Sequence, residues 1–113
     1  MLITVDYRVP SDRAAEFIAA MQAMNIFRRR EGALSWGIFR DLADPDRYVE
    51  TFLVPSWAEH VRQHARVTID DQATEARAFA FLQPGVAPAA AHLIAARAYG
   101  QPLPAAPPYP ELS

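Results

Sequence analysis

The chain has 113 residues, 51% of them hydrophobic and 21% charged, with 11 arginines, no lysine, 13 acidic residues and a formal net charge of −2. A chain of this length hides roughly 60–68% of the surface it exposes unfolded, which supports one domain and excludes a catalytic domain paired with a separate cofactor domain. The near-neutral balance offers no basic field for a phosphate backbone, so nucleic acid is not expected as a partner. The absence of cysteine excludes disulfides, thiolate metal sites and thiol nucleophiles.

From the N-terminus, Ile3, Val5, Tyr7 and Val9 alternate with Leu2, Thr4, Asp6 and Arg8, the period-two pattern of a strand over Leu2–Val9. No basic leader precedes it and no segment reaches 18 apolar residues, so a cytoplasmic protein without direct membrane insertion is expected. Pro10 ends the strand and Ser11 is a candidate cap. Phe17, Ile18, Met21 and Met24, followed by Phe27 or Arg28, then recur at helical spacing up to Gly32, a candidate C-cap. Arg28 to Arg30 are expected to oppose the helix dipole and to need no ligand.

Ala33–Asp41 alternates Leu34, Trp36 and Ile38 against Ser35, Gly37 and Phe39, and Tyr48–Val54 is apolar apart from Glu50. With Asp44, Pro45 and Asp46 between them, these segments read as an antiparallel hairpin. Its charges, Arg40, Asp41, Asp44, Asp46, Arg47 and Glu50, are expected to form a solvated ion-pair network. Ser56 followed by Glu59 is a capping box for a helix carrying Trp57, His60, Val61 and His64. Thr68 with Asp71 repeats the pattern, which predicts a break near Ile69 and a second helix running to Pro84 and Gly85. A last strand is expected over His92–Tyr99. From Gly100 onward five prolines in PLPAAPPYP predict an extended tail over residues 100–113.

The order βαββαβ is that of a ferredoxin-like α+β fold, a four-stranded antiparallel sheet with two helices on one face, here as one domain over residues 1–99. The other face of the sheet needs cover, and a second copy of the chain supplies it most simply, which predicts a homodimer.

The stretch RRREGALSWGIFRDLADPDRYVETFLVPSWAEHVRQHARVT, residues 28–68, carries a tryptophan strand, a D-x-x-DP-x-RY-x-E hairpin and an SW-x-EH-x-RQH helix in order. It resembles the antibiotic-biosynthesis-monooxygenase-like superfamily of dimeric α+β barrels, and is most similar to the soluble domain that follows the membrane part of transmembrane secretion effectors of the major facilitator superfamily. The resemblance implies a cofactor-independent oxygenase acting on a small aromatic or polyketide-like substrate. A non-catalytic dimerisation or ligand-sensing domain related to efflux-protein extensions is the alternative, and a haem-binding role a third. Some members use an asparagine and a tryptophan near the pocket, which by element correspond to Asn25 and Trp36.

Among the residues themselves, His64 is the candidate acid or base, because an unperturbed imidazole titrates near neutrality. Trp36 offers an aromatic wall whose indole N–H can bond a ligand. Tyr7, Phe17, Met21, Tyr48 and His60 are candidate substrate contacts. His60 and His64 stand four apart, a spacing that can present two imidazoles to one metal, but Val61 occupies the place of the glutamate in HExxH. No metal or cofactor is therefore expected, and the expected partners are a second copy of the chain and a small aromatic or apolar molecule.

Overall fold

The computed structural model describes residues 1–64 and 69–96, with no side-chain description for Gln63 and His64. The elements are β1 (Leu2–Arg8), a 3-10 turn (Ser11–Arg13), α1 (Ala14–Arg30), β2 (Ser35–Arg40), β3 (Arg47–Leu53), α2 (Trp57–His64), α3 (Ile69–Phe79) and β4 (Ala89–Leu93). The strands form one antiparallel sheet in the order β2-β3-β1-β4. This is the ferredoxin-like α+β arrangement, with β1 and β3 central and β2 and β4 at the edges.

The period-two reading of β1 holds: Ile3, Val5 and Tyr7 are at most 3% exposed while the intervening residues are partly exposed. Register places Val5 opposite Glu50 and Tyr7 opposite Tyr48 on β3. Trp36 and Arg40 of β2 stand opposite Phe52 and Tyr48. Onto this face α1 lays Phe17, Met21 and Met24, all fully buried, and each such side chain contributes roughly 1.5–3 kcal/mol of transfer free energy. Phe17 sits between two tyrosine rings, 5.5 Å from the centroid of Tyr7 and 5.5 Å from that of Tyr48.

Helix boundaries follow local chemistry. α1 starts later than Ser11, which opens the 3-10 turn and makes no side-chain cap. Gly32 takes φ 99° just after the end of α1, the left-handed conformation that glycine adopts without a Cβ penalty. At α2 the Glu59 backbone N–H donates to Ser56 Oγ at 3.1 Å, as the capping box requires. α2 is described to His64 and α3 from Ile69, and the expected break between them lies, with Thr68, outside the described residues; α3 ends at Phe79, before Pro84 and Gly85.

The last strand is displaced. It occupies Ala89–Leu93 and pairs Ala90 with Val5 and His92 with Ile3, instead of starting at His92. An edge strand beside β1 needs only one ladder, so alanines with little strand propensity suffice there. Residues 97–99 and the proline-rich tail lie outside the described residues.

Candidate functional site

Three cross-strand rows run over the helix-facing side of the sheet. Trp36, Phe52, Ile3 and His92 form the first, Ile38, Glu50, Val5 and Ala90 the second, and Arg40, Tyr48 and Tyr7 the third. With about 3.3 Å per residue, the outer rows lie ~13 Å apart along the strands.

The middle row carries a buried carboxylate. Glu50 is fully buried; its Oε1 accepts from the Tyr7 hydroxyl at 2.7 Å and Arg28 Nη2 at 3.2 Å, and its Oε2 from Arg28 Nε at 2.9 Å and Trp36 Nε1 at 2.8 Å. Arg28 is itself 1% exposed and lies over the Phe52 ring at 4.7 Å. Burial works against the Arg28 charge, but Glu50 outweighs it and the pKa rises. Burial, then Glu50, raises the Tyr7 pKa well above its ordinary value, so Tyr7 stays a neutral donor. Two sequence expectations are corrected here. Glu50 is not a solvated charge, because strand parity with Tyr48 and Phe52 turns it inward, where Arg28, at helical spacing from Met21 and Met24, meets it. The indole N–H of Trp36 serves Glu50 and is not offered to a ligand.

Below this network, Glu31 at the C-terminal end of α1 is 8% exposed and 3.9 Å from Arg28. Burial first, then Asp71 and Glu75 of α3, push its pKa up to about 7 against the pull of Arg28.

The first row ends in a cluster of rings. Trp57 of α2 meets His92 of β4 edge-on at 4.8 Å, and His60 lies 6.2 Å from each ring and 6.1 Å from Phe52. His60 is 2% exposed. Burial lowers the His92 pKa below 6.5, which leaves a neutral imidazole at pH 7.

The third row opens into a groove of about 250 Å³ lined by Ile18, Ile38, Phe39, Arg40 and Tyr48. It lies at the free edge of β2, under the first turns of α1.

Of the residues singled out from the sequence, Tyr48 lines this groove and His60 joins the ring cluster. Tyr7, Phe17 and Met21 are core residues, at most 1% exposed. Asn25 accepts a hydrogen bond from Arg29 Nε at 2.9 Å on the outer side of α1 and shares none with Trp36. The side chain of His64 lies outside the described residues. Sequence reasoning named Glu50, Arg28 and Arg40 without placing them at a site, and His92 only as a possible third ligand to a metal. For Glu50 and Arg28 the signal was present, since each stands at the spacing of its buried neighbours. For His92 it was not, because the register of β4 depends on β1. Among the described residues no group of three or more metal-ligating side chains is assembled, and no helix is long and apolar enough to cross a membrane.

The family model described as transmembrane secretion effector matches residues 1–99. No curated protein is significantly similar in sequence. Among solved structures, SnoaB, a cofactor-independent oxygenase from Streptomyces nogalater, matches with 14% identity, a TM-score of 0.68, and coverage of 85% of this chain and 92% of that one. An antibiotic biosynthesis monooxygenase matches with 16% identity, a TM-score of 0.67, and coverage of 86% and 100%. A NIPSNAP family protein from Agrobacterium tumefaciens matches with 11% identity, a TM-score of 0.66, and coverage of 84% of each chain. At these identities the likeness establishes a shared fold, and one fold hosts several chemistries.

Proposed function

The chain belongs to the transmembrane secretion effector family, and on that premise we propose that this domain works as a cofactor-independent oxygenase on a small aromatic or polyketide-like substrate, as a cytoplasmic homodimer. The observation that carries the reading is the ring cluster at the end of the first row. A neutral His92 imidazole packed edge-on against Trp57, with His60 beside both, provides a proton acceptor next to a flat aromatic wall. That is what an activated ring methylene needs. Its proton passes to the imidazole, and the carbanion gives one electron to dioxygen. The two radicals combine in a C–O bond, and the O–O bond of the hydroperoxide breaks as the remaining proton leaves. One CH2 and one O2 thus become one C=O and one H2O. The low-dielectric surroundings favour the delocalised anion over a compact hydrated one. His64, one turn beyond His60 in α2, is the second candidate for the proton step.

Oxygen uptake with anthrone and quinol probes tests this. Turnover that falls at least tenfold in His92→Ala and in Trp57→Phe supports the reading, and unchanged rates in both remove it. His64→Ala, assayed alongside, assigns the proton step between the two histidines.

A second reading has its own support. Phe17, Met21 and Met24 are fully buried between α1 and the sheet, as in a non-catalytic assembly module. Ligand-dependent dimerisation with no oxygen consumption is its signature.

A further inference from the structure

We propose that Arg40 and Tyr48 form a binding site for a flat, apolar molecule carrying one oxygen anion, a carboxylate or a phenolate on one or two aromatic rings. The site is separate from the ring cluster and does not depend on the oxygenase reading.

Three observations converge. Arg40 is the arginine left unpaired among the described residues. Every other described arginine has a partner, as Arg8 has Asp44, Arg28 has Glu50, and Arg47 has Asp6 and Asp41. This holds although Asp41, Asp44 and Asp46 follow Arg40 within six positions of the chain. Strand parity is the reason. Arg40 shares the helix-facing side with Trp36 and Ile38, whereas Asp41 binds Arg47 at 3.0 Å and Asp44 binds Arg8.

Tyr48 is only 3% exposed, yet its hydroxyl makes no hydrogen bond with any described residue, in contrast to the Tyr7 hydroxyl held by Glu50. Both side chains line the same groove, and their Cα atoms are direct partners across β2 and β3. A guanidinium and a phenol hydroxyl thus present donors to one space, which is the requirement for holding an oxygen anion.

The rest of the groove sets the body of the ligand. Ile18 and Ile38 are aliphatic and the Tyr48 ring lies beside them, so the walls favour a flat apolar group, while Phe39 borders the groove from the strand edge with its ring over Gly37 on the other face. A volume of about 250 Å³ falls just under the ~300–1,000 Å³ of pockets that enclose drug-sized molecules. It suits one or two rings and excludes a fused tetracycle from full entry.

Isothermal titration of the full chain with 2-naphthoate and with 2-naphthamide, its neutral isostere, tests the proposal. Neither probe is an oxygenase substrate, so the result is independent of turnover. In low salt the carboxylate is expected to bind about fivefold more tightly than the amide, a difference appropriate to a partly exposed charge pair. Arg40→Gln is expected to abolish the preference and Arg40→Lys to retain part of it. Tyr48→Phe, which keeps the buried ring, is expected to weaken naphthoate and leave naphthamide unchanged. Equal affinities for the two probes, no binding of either, or an unaltered preference in Arg40→Gln would overturn the proposal.

Discussion

Glu50 and Arg28 set the energetic stakes at the residue scale, because each is an ion that the fold removes from water. Breaking a buried pair leaves a bare charge and costs ~3–5 kcal/mol, whereas removing both charges is much cheaper. Glu50→Gln is therefore expected to lose stability of that order in urea unfolding, and Arg28→Met in the same background to recover part of it. A loss under about 1 kcal/mol for Glu50→Gln alone would show that the pair does not hold the core. Two other residues make stability depend on pH with opposite signs. Glu31, at about 7 when folded against an ordinary 4.5, binds its proton more tightly in the native state, so its contribution is full at low pH and falls as pH rises from 4.5 to 7. His92, lowered below 6.5, binds its proton more weakly in the native state, so its contribution is lost as pH falls below 6.5. The two trends oppose each other between pH 4.5 and 6.5. Urea midpoints for Glu31→Gln are expected to rise with pH across this window, and those for His92→Phe to fall. Identical pH profiles in both variants and the parent would contradict these assignments.

Elements here are positioned by a few local devices that can be removed singly. Ser56→Ala deletes the side-chain acceptor for the Glu59 N–H and is expected to cost about 1 kcal/mol. Since α2 carries Trp57 and His60 onto β4, the same change is expected to increase amide exchange in α2 ahead of the sheet. Gly85 has φ +80° with open space where a Cβ would stand. Gly85→Ala therefore meets no clash, and its expected cost of roughly 1–2 kcal/mol is purely conformational. The helices and the hairpin were legible because caps, prolines and periodicity are local signals, although α3 stops at Phe79 and not at Pro84. β4 was misplaced because its register comes from pairing with β1, which no local pattern encodes. Arg28 shows the same limit from another side: helical spacing allowed it or Phe27 to face the core, and only the position of Glu50 on β3 explains why both do.

At the scale of the molecule, one face of the sheet is covered by helices and the other is open. Phe39, Leu53 and Leu93 are 60%, 41% and 47% exposed there, and Thr4, Val49 and Thr51 lie between them. A second copy meeting this face buries the patch, and that is the expected homodimer. Val49→Glu with Leu53→Glu is expected to yield a monomer in sedimentation velocity while the circular dichroism spectrum is retained; an unchanged sedimentation coefficient would place any interface elsewhere. The sequence by itself determined the α+β class, the βαββαβ order and the apolar faces of its strands and first helix, because backbone period and capping are properties of neighbouring residues. The tertiary structure alone decided which charges are spent inside the protein and which remain for a ligand. Arg28, Arg40 and Arg47 look equivalent as letters, but an ion's role depends on which acids long-range pairing brings within reach: Glu50 for Arg28, Asp6 and Asp41 for Arg47, and none for Arg40 among the described residues.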